Sequence, residues 1–153
     1  MHVRRPHAFT MSEVLIVIAV LALLIAVAYP SYQNQIHKMR RDDARQSLVR
    51  VAQQLERCYT RYRRYNHPDC SVVTAGSTIA ARSRSGHYQI SSIAIVSGSQ
   101  TETLAVNGES YTLFARPLDA QASDTTCAVF QYGSTAARAA ANAAGDPTTA
   151  DCW

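Results

Sequence analysis

Arginine and tyrosine side chains alternate between positions 57 and 65, and both types can contact a nucleic acid. The residues of this stretch are Arg57, Tyr59, Arg61, Tyr62, Arg63, Arg64 and Tyr65. Arginine binds phosphate groups, and tyrosine stacks on nucleobases. With Arg82, Arg84 and a formal net charge of +4, these arginines form a candidate DNA-binding set. The other interpretation stays open, because tyrosines at helical spacing usually belong to a core and exposed arginines are usually only solvated.

No motif in the sequence indicates an enzyme. There is no His-Glu-x-x-His, no Gly-x-Ser-x-Gly and no glycine loop for phosphate. Cys58, His67 and Cys70 lie near one another along the chain, but their spacing matches no usual zinc pattern and a fourth ligand is missing. We therefore expect no catalytic residue, no metal and no cofactor.

Four cysteines, an even number, predict two disulfide bonds. They are Cys58, Cys70, Cys127 and Cys152, and all follow the apolar N-terminal block. This usage is typical of a small domain exported to an oxidising compartment. Distance along the chain favours a Cys58–Cys70 bridge around a helix end, although three pairings are formally open.

The apolar block from Val14 to Ala28 contains no polar residue. A helix from Phe9 to Tyr29 would be about 30 Å long at ~1.5 Å per residue, the thickness of a bilayer core. A cleaved secretory signal is one interpretation, because Ala26-Val27-Ala28 offers a cleavage site before Tyr29. Glu13 argues against it, since a carboxylate beside hydrocarbon requires a partner.

The run from Ala8 to Val14, followed by the apolar block, resembles the class III signal of type IV prepilins. The resemblance implies a leader of residues 1–8, cleavage between Ala8 and Phe9, and N-methylation of Phe9. It also gives Glu13 a partner, the Phe9 ammonium of a neighbouring subunit. Ala8 stands where the family usually has glycine.

Three further features resemble the same family. Pro30 falls where pilins carry a helix-kinking proline, so a kink or a locally melted segment is expected there. The Glu-Arg-Cys-Tyr-Thr segment around Cys58 and the Cys-Trp ending resemble a subgroup of minor pilins. The resemblance implies a C-terminal disulfide between Cys127 and Cys152, as well as a pilin head.

The resemblance also implies partners and roles. The partners are other pilin subunits, the prepilin peptidase and methyltransferase, the inner-membrane assembly machinery, and the membrane itself before assembly. The roles are pilus assembly, with adhesion, twitching motility or DNA uptake, because some minor pilins are DNA receptors in natural transformation. A pseudopilin of type II secretion is the alternative, and the choice between a major and a minor pilin stays open.

The charges flanking the apolar block and the cysteines indicate opposite topologies. More basic residues follow the block than precede it, which favours a cytoplasmic C-terminal side. The disulfide pattern requires an oxidising compartment instead. We follow the cysteines and the family resemblance, and expect a periplasmic head before export to an extracellular pilus.

The candidate DNA-binding residues and the cysteines are expected to lie in an α+β head. Residues 9–36 are expected to form the membrane and assembly helix, and residues 37–153 the head. Apolar residues recur at steps of three and four from Ala44 to Tyr62, which predicts an amphipathic helix ending near Tyr65. Arg41 is assigned to its solvated face.

A small antiparallel sheet should pack on this helix. Alternating residues predict a strand within 87–96, one at 111–115 and one at 127–132. Asn107-Gly108 is a candidate hairpin turn after residues 104–106 or the end of a longer loop, and both stay open. The alanine-rich run 136–144 fits either a helix or a loop, and both stay open.

Overall fold

A computed structural model describes residues 10–74, 78–92, 95–96, 99–100 and 108–153 of the chain. The chain divides into two compact units, Met1–Ile36 and His37–Trp153. The leader, residues 1–8, and Phe9 lie outside the described residues. Cleavage between Ala8 and Phe9 therefore stays a prediction.

Helix α1, Met11–Tyr62, begins in the first unit. It runs through Pro30 without a break, although proline has no N–H and removes one hydrogen bond from the helical ladder. Of the two outcomes expected at Pro30, the locally melted segment is therefore wrong, because the remaining helical hydrogen bonds carry α1 past the one that proline removes. The kink stays a prediction.

In the second unit, α1 buries the predicted stripe. Its buried apolar residues are Ala44, Leu48, Val51, Ala52, Leu55 and Cys58. Arg41 is also buried, with 7% of its surface exposed, so its assignment to the solvated face is wrong. The helix ends at Tyr62, because the next residue, Arg63, adopts a left-handed backbone conformation with φ of 57°. A right-handed helix of L-residues does not continue through this conformation.

Eight short strands follow the helix within the part of the chain that the structure describes. They are β1 (Val73–Thr74), β2 (Thr78–Arg82), β3 (Tyr88–Ser91), β4 (Ile95–Val96), β5 (Ser99–Gln100), β6 (Thr112–Pro117), β7 (Val129–Gly133) and β8 (Arg138–Ala141). Six of them form one antiparallel sheet in the order β1-β2-β3-β6-β7-β8, while β4 pairs with β5. A 3-10 helix, Asp119–Ser123, and helix α2, Thr149–Cys152, complete the described elements.

The core lies between α1 and this sheet, which confirms the predicted α+β architecture. Its largest fully buried side chains include Tyr88, Phe130, Leu48 and Leu55. They come from the middle strands and the buried stripe of α1. The buried side chains of α1 and of the sheet thus form one core cluster among the described residues, and two disulfides reinforce the head.

The strands predicted at 111–115 and 127–132 are confirmed as β6 and β7, two predictions differ, and one stays untested. The strand predicted within 87–96 is two strands, because β3 ends at Ser91 and the hydroxyl of Ser92 accepts a hydrogen bond from the Ile79 N–H, at 3.0 Å. The alanine-rich run contains β8, since pairing with β7 outweighs the helix propensity of alanine. Residues 104–107, with most of the proposed turn, lie outside the described residues.

Candidate functional site

Glu13 and Thr10 close the first turn of α1 reciprocally. The Thr10 N–H donates to Glu13 Oε2 at 3.1 Å, and the Thr10 hydroxyl donates to the same oxygen at 3.0 Å. In return, the Glu13 N–H donates to Thr10 Oγ1 at 3.3 Å. This is a capping box, in which two backbone donors at a helix start are satisfied. The Thr-x-x-Glu spacing is its signal in the sequence, although it was not among the predicted features.

The apolar half of α1 has no packing partner within the described part of the chain. Its large side chains remain half or more exposed, from Val14 at 50% to Val27 at 79%. By length and composition this helix is able to cross a membrane. Exposed aliphatic surface of this extent requires lipid or the apolar segments of other subunits.

The two disulfides are Cys58–Cys70 and Cys127–Cys152, with Cα–Cα distances of 5.7 and 5.9 Å. Both pairings agree with the expectations. The first ties the end of α1 to the loop that follows it, and the second ties the segment before β7 to α2. Because Cys58 and Cys70 are bonded to each other, neither thiol remains for the metal site considered above.

The tyrosines of the arginine-tyrosine stretch divide between core and surface. Tyr65 is 7% exposed, stacks on Tyr59 at 4.6 Å between ring centroids, and meets the ring of Tyr111 edge to face. The hydroxyls of Tyr65 and Tyr111 both donate to the Glu56 carboxylate. Burial raises the pKa of Tyr65 to about 12 and raises that of Tyr111 as well. Tyr65 therefore holds the helix end in place and is no ligand contact.

Tyr62 instead forms a stack at the surface. Its ring lies parallel to the His67 ring, with centroids 3.9 Å apart and planes 3° apart. The Arg61 guanidinium lies 5.2 Å from the Tyr62 ring centroid, within range of a cation–π interaction. His67 and Arg61 therefore both lie against the Tyr62 ring, and this stack is partly exposed at the end of the helix.

A groove of about 310 Å³ lies between the end of α1 and the loop tied by Cys58–Cys70. We call it the disulfide groove. Its lining residues are Gln54, Arg57, Cys58, Arg61, Tyr62, Asp69, Cys70 and Ser71. Arg57 and Arg61 are exposed at this site, and Arg63 and Arg64 are exposed in the next residues. Four of the six candidate arginines are thus brought to one end of the head.

Arg82 and Arg84 lie elsewhere. The turn that follows β2 is held to the beginning of the head's helix, where the Ser85 N–H donates to Asp43 Oδ1 and the Arg84 N–H to Ser47 Oγ. The Arg50 guanidinium lies 3.5 Å from the Arg82 carbonyl oxygen. Neither Arg82 nor Arg84 lines the disulfide groove.

A second basic groove was not predicted from the sequence. It has a volume of about 420 Å³ and is lined by Arg45, Gln46, Val49, Arg50, Gln53, Arg138 and Trp153. The Trp153 indole N–H donates to the Ala139 carbonyl at 2.7 Å, and the Arg138 guanidinium lies 5.4 Å from the indole ring. Arg138 and Trp153 come from distant positions along the chain, so only the folded sheet brings them to α1.

Polar groups also fix the beginning of the head. Arg41 donates to both carboxylate oxygens of Asp124, at 2.7 and 2.8 Å. Gln121 donates to Asp124 and to the Tyr88 hydroxyl, and its carbonyl oxygen is 3.0 Å from His37 Nδ1. Burial opposes ionisation of Asp124, but the hydrogen bonds and charge of Arg41 outweigh it and lower the pKa of this carboxyl. This network positions α1 on the sheet.

Two protein-family models match the chain, and together they cover most of its length. The model described as type IV minor pilin ComP, DNA uptake sequence receptor, matches residues 30–131. The model described as the prokaryotic N-terminal methylation motif matches residues 3–29. No curated protein matches the chain. The first match includes the disulfide groove and ends before β8, Arg138 and Trp153.

Proposed function

This chain belongs to the type IV minor pilin ComP family, and from that premise we propose that it is a pilus subunit whose disulfide groove binds DNA. Its place as a minor pilin of a type IV pilus follows from the two family matches, which together cover residues 3–131. The family is one of structural subunits, and we propose that the chain has no catalytic activity. Its partners are other pilus subunits, and its processing enzyme is a prepilin peptidase.

The cleavage of the leader and the cellular location of the subunit are also proposals. We propose that residues 1–8 are removed, that Phe9 becomes the methylated terminus, and that residues 9–36 anchor the subunit in the inner membrane with the head in the periplasm. The methylation motif match and the exposed apolar helix support the anchor. The two disulfides support an oxidising compartment for the head.

Assembly then follows from the apolar half of α1. Burying a Val, Leu or Ile side chain that was exposed contributes about 1.5–3 kcal/mol, and the segment from Val14 to Val27 exposes many of them. We propose that these side chains bury one another in the filament. Glu13 sets the register by pairing with the Phe9 ammonium of a neighbouring subunit, since each charge alone is costly in an apolar filament core.

The disulfide groove carries the DNA-binding part of the proposal. The observation that supports DNA binding is that the disulfide groove combines exposed arginines with a partly exposed Tyr62–His67 stack. Arginines bind phosphates in a salt-dependent way, and an aromatic face accepts a base or a sugar. The family description, which names a DNA uptake sequence receptor, points to the same ligand.

A salt titration tests this proposal. We expect the full-length mature protein in non-ionic detergent to bind duplex DNA with an affinity that falls as salt rises. In Arg57→Ala/Arg61→Ala, the slope of log K against log salt should become shallower by about 0.9 for each phosphate that the variant no longer binds. Lys38→Ala is the matched control, because this exposed cation lies 23 residues before Arg61 on α1. Equal slopes for all three proteins would contradict the proposal.

A further inference from the structure

Asp69 is the one acidic residue among the described residues that line the disulfide groove. Its side chain is 69% exposed, and it stands in a lining that otherwise presents Arg57, Arg61 and neutral residues. A carboxylate repels phosphates. It therefore opposes the electrostatic attraction on which the groove depends.

The loop fold does not depend on this carboxylate. Among the described residues, its one ion-pair partner within 4 Å is His67, whose Nδ1 is 3.7 Å from Asp69 Oδ2, while Arg57 and Arg61 line the same groove. That nitrogen accepts the Asp69 backbone N–H at 3.2 Å. The loop is held by the backbone hydrogen bond and by Cys58–Cys70, and neither contact needs the Asp69 side chain.

We propose that Asp69 is a specificity-determining residue, which reads a cytosine in the major groove of bound DNA; this inference rests on the DNA-binding function proposed above. An ionised carboxylate only accepts hydrogen bonds. The phosphates and most base edges also present acceptors, so Asp69 gains only where an exocyclic amino group faces it. Cytosine N4 is such a donor, whereas the adenine N6 donor lies beside the N7 acceptor, which repels a carboxylate.

Two consequences follow for affinity and preference. A carboxylate among arginines lowers the affinity for DNA of unrelated sequence. When cytosine occupies the base pair that faces Asp69, the hydrogen bond from its N4 amino group restores part of this affinity. Arg57 and Arg61 supply sequence-independent affinity through phosphates, while Asp69 supplies discrimination. The isosteric change Asp69→Asn should therefore raise general affinity and reduce selectivity at the same time.

Selection from a randomised duplex library tests the inference. The full-length mature protein in detergent, its Asp69→Asn variant and an Asp119→Asn control are each used to enrich bound duplexes, and the affinity for the unselected pool is measured in parallel. Asp119 is an exposed carboxylate in the 3-10 helix, remote from the groove along the chain. We expect wild type and the Asp119→Asn control to enrich cytosine at one position. In Asp69→Asn, that enrichment should fall about fivefold or more, and binding to the pool should tighten.

Each other result overturns the inference. Tighter binding with an unchanged preference would mean that Asp69 only repels phosphate. Unchanged affinity and preference would place Asp69 outside the DNA footprint. If replacing the paired guanine by inosine, which lacks the N2 amino group, abolished the preference of wild type, the contact would lie in the minor groove instead. If wild type binds no duplex at all, the proposed function fails as well, and the salt titration separates this case from the others.

Discussion

Arg41 and Asp124 form a buried bidentate ion pair between α1 and the segment after the 3-10 helix, with donor–acceptor distances of 2.7 and 2.8 Å. Their side chains are 8% and 3% exposed. A buried charge that loses its partner is much more costly than an exposed one. The stability of the head should therefore depend strongly on this pair.

Arg41→Met should lower the free energy of unfolding by about 3–5 kcal/mol, because it leaves Asp124 buried without its cation. Denaturant unfolding followed by near-ultraviolet circular dichroism measures this change. Asp42→Ala is the control, since it breaks the exposed pair with Arg45 and should cost about 1 kcal/mol or less. Equal losses of stability in both variants would contradict this role of the buried pair.

The same pair predicts how stability changes with acid. The pKa of Asp124 is lowered in the folded head, so the folded state binds its proton less readily than the unfolded chain does. The stabilising contribution is complete above the unfolded value of about 3.9 and is lost as the pH falls through the lower folded value. Asp124→Asn should flatten the acid limb of a stability–pH curve. An acid limb as steep as in wild type would show that other carboxyls cause it.

Glu13 should be required for assembly as a charge partner and not only as a helix cap. Thr10→Ala removes the threonine side of the capping box and keeps the carboxylate, whereas Glu13→Ala removes both the carboxylate and its part of the box. We expect Glu13→Ala to leave export and head folding intact and to abolish recovery in sheared pili, while Thr10→Ala is recovered normally. Equal loss of recovery in the two variants would indicate that capping, worth about 1 kcal/mol, is what matters.

The two disulfides should differ in function although they contribute similarly to stability. Replacing either cysteine pair by serine should cost about 3 kcal/mol, slightly more for Cys127–Cys152 because it closes the longer loop. Only loss of Cys58–Cys70 should weaken DNA binding, because that bridge holds one wall of the disulfide groove. A gel-shift titration of both variants, at a temperature where each is folded, measures the difference. Equal DNA affinity would contradict the location of the site.

The features fixed by local pattern could be predicted from the sequence. The period of apolar residues identified the buried stripe of α1, and the four cysteines identified an exported head with two bridges. The capping box was also readable from Thr10 and Glu13, because its spacing is local. In each case the physical cause lies within a few turns of chain or in composition.

The features fixed by distant contacts were not predictable. Arg41 falls on the buried stripe three residues before Ala44, but the partner that allows its charge to be buried, Asp124, is 83 residues away and could not be identified from local pattern. Strand β8 exists because β7 pairs with it, against the helix propensity of alanine. Arg82 and Arg84 do not line the disulfide groove, and their position depends on how the turn after β2 is held to α1.

The intact mass and N-terminal residue of the protein recovered from sheared pili test the proposed assembly through α1 most directly. We predict a chain that begins at N-methylated Phe9, retains the apolar helix, and lacks four hydrogens because both disulfides are formed. A chain that begins at Tyr29, without this helix, would contradict assembly through α1 and with it the interpretation of the protein as a pilus subunit.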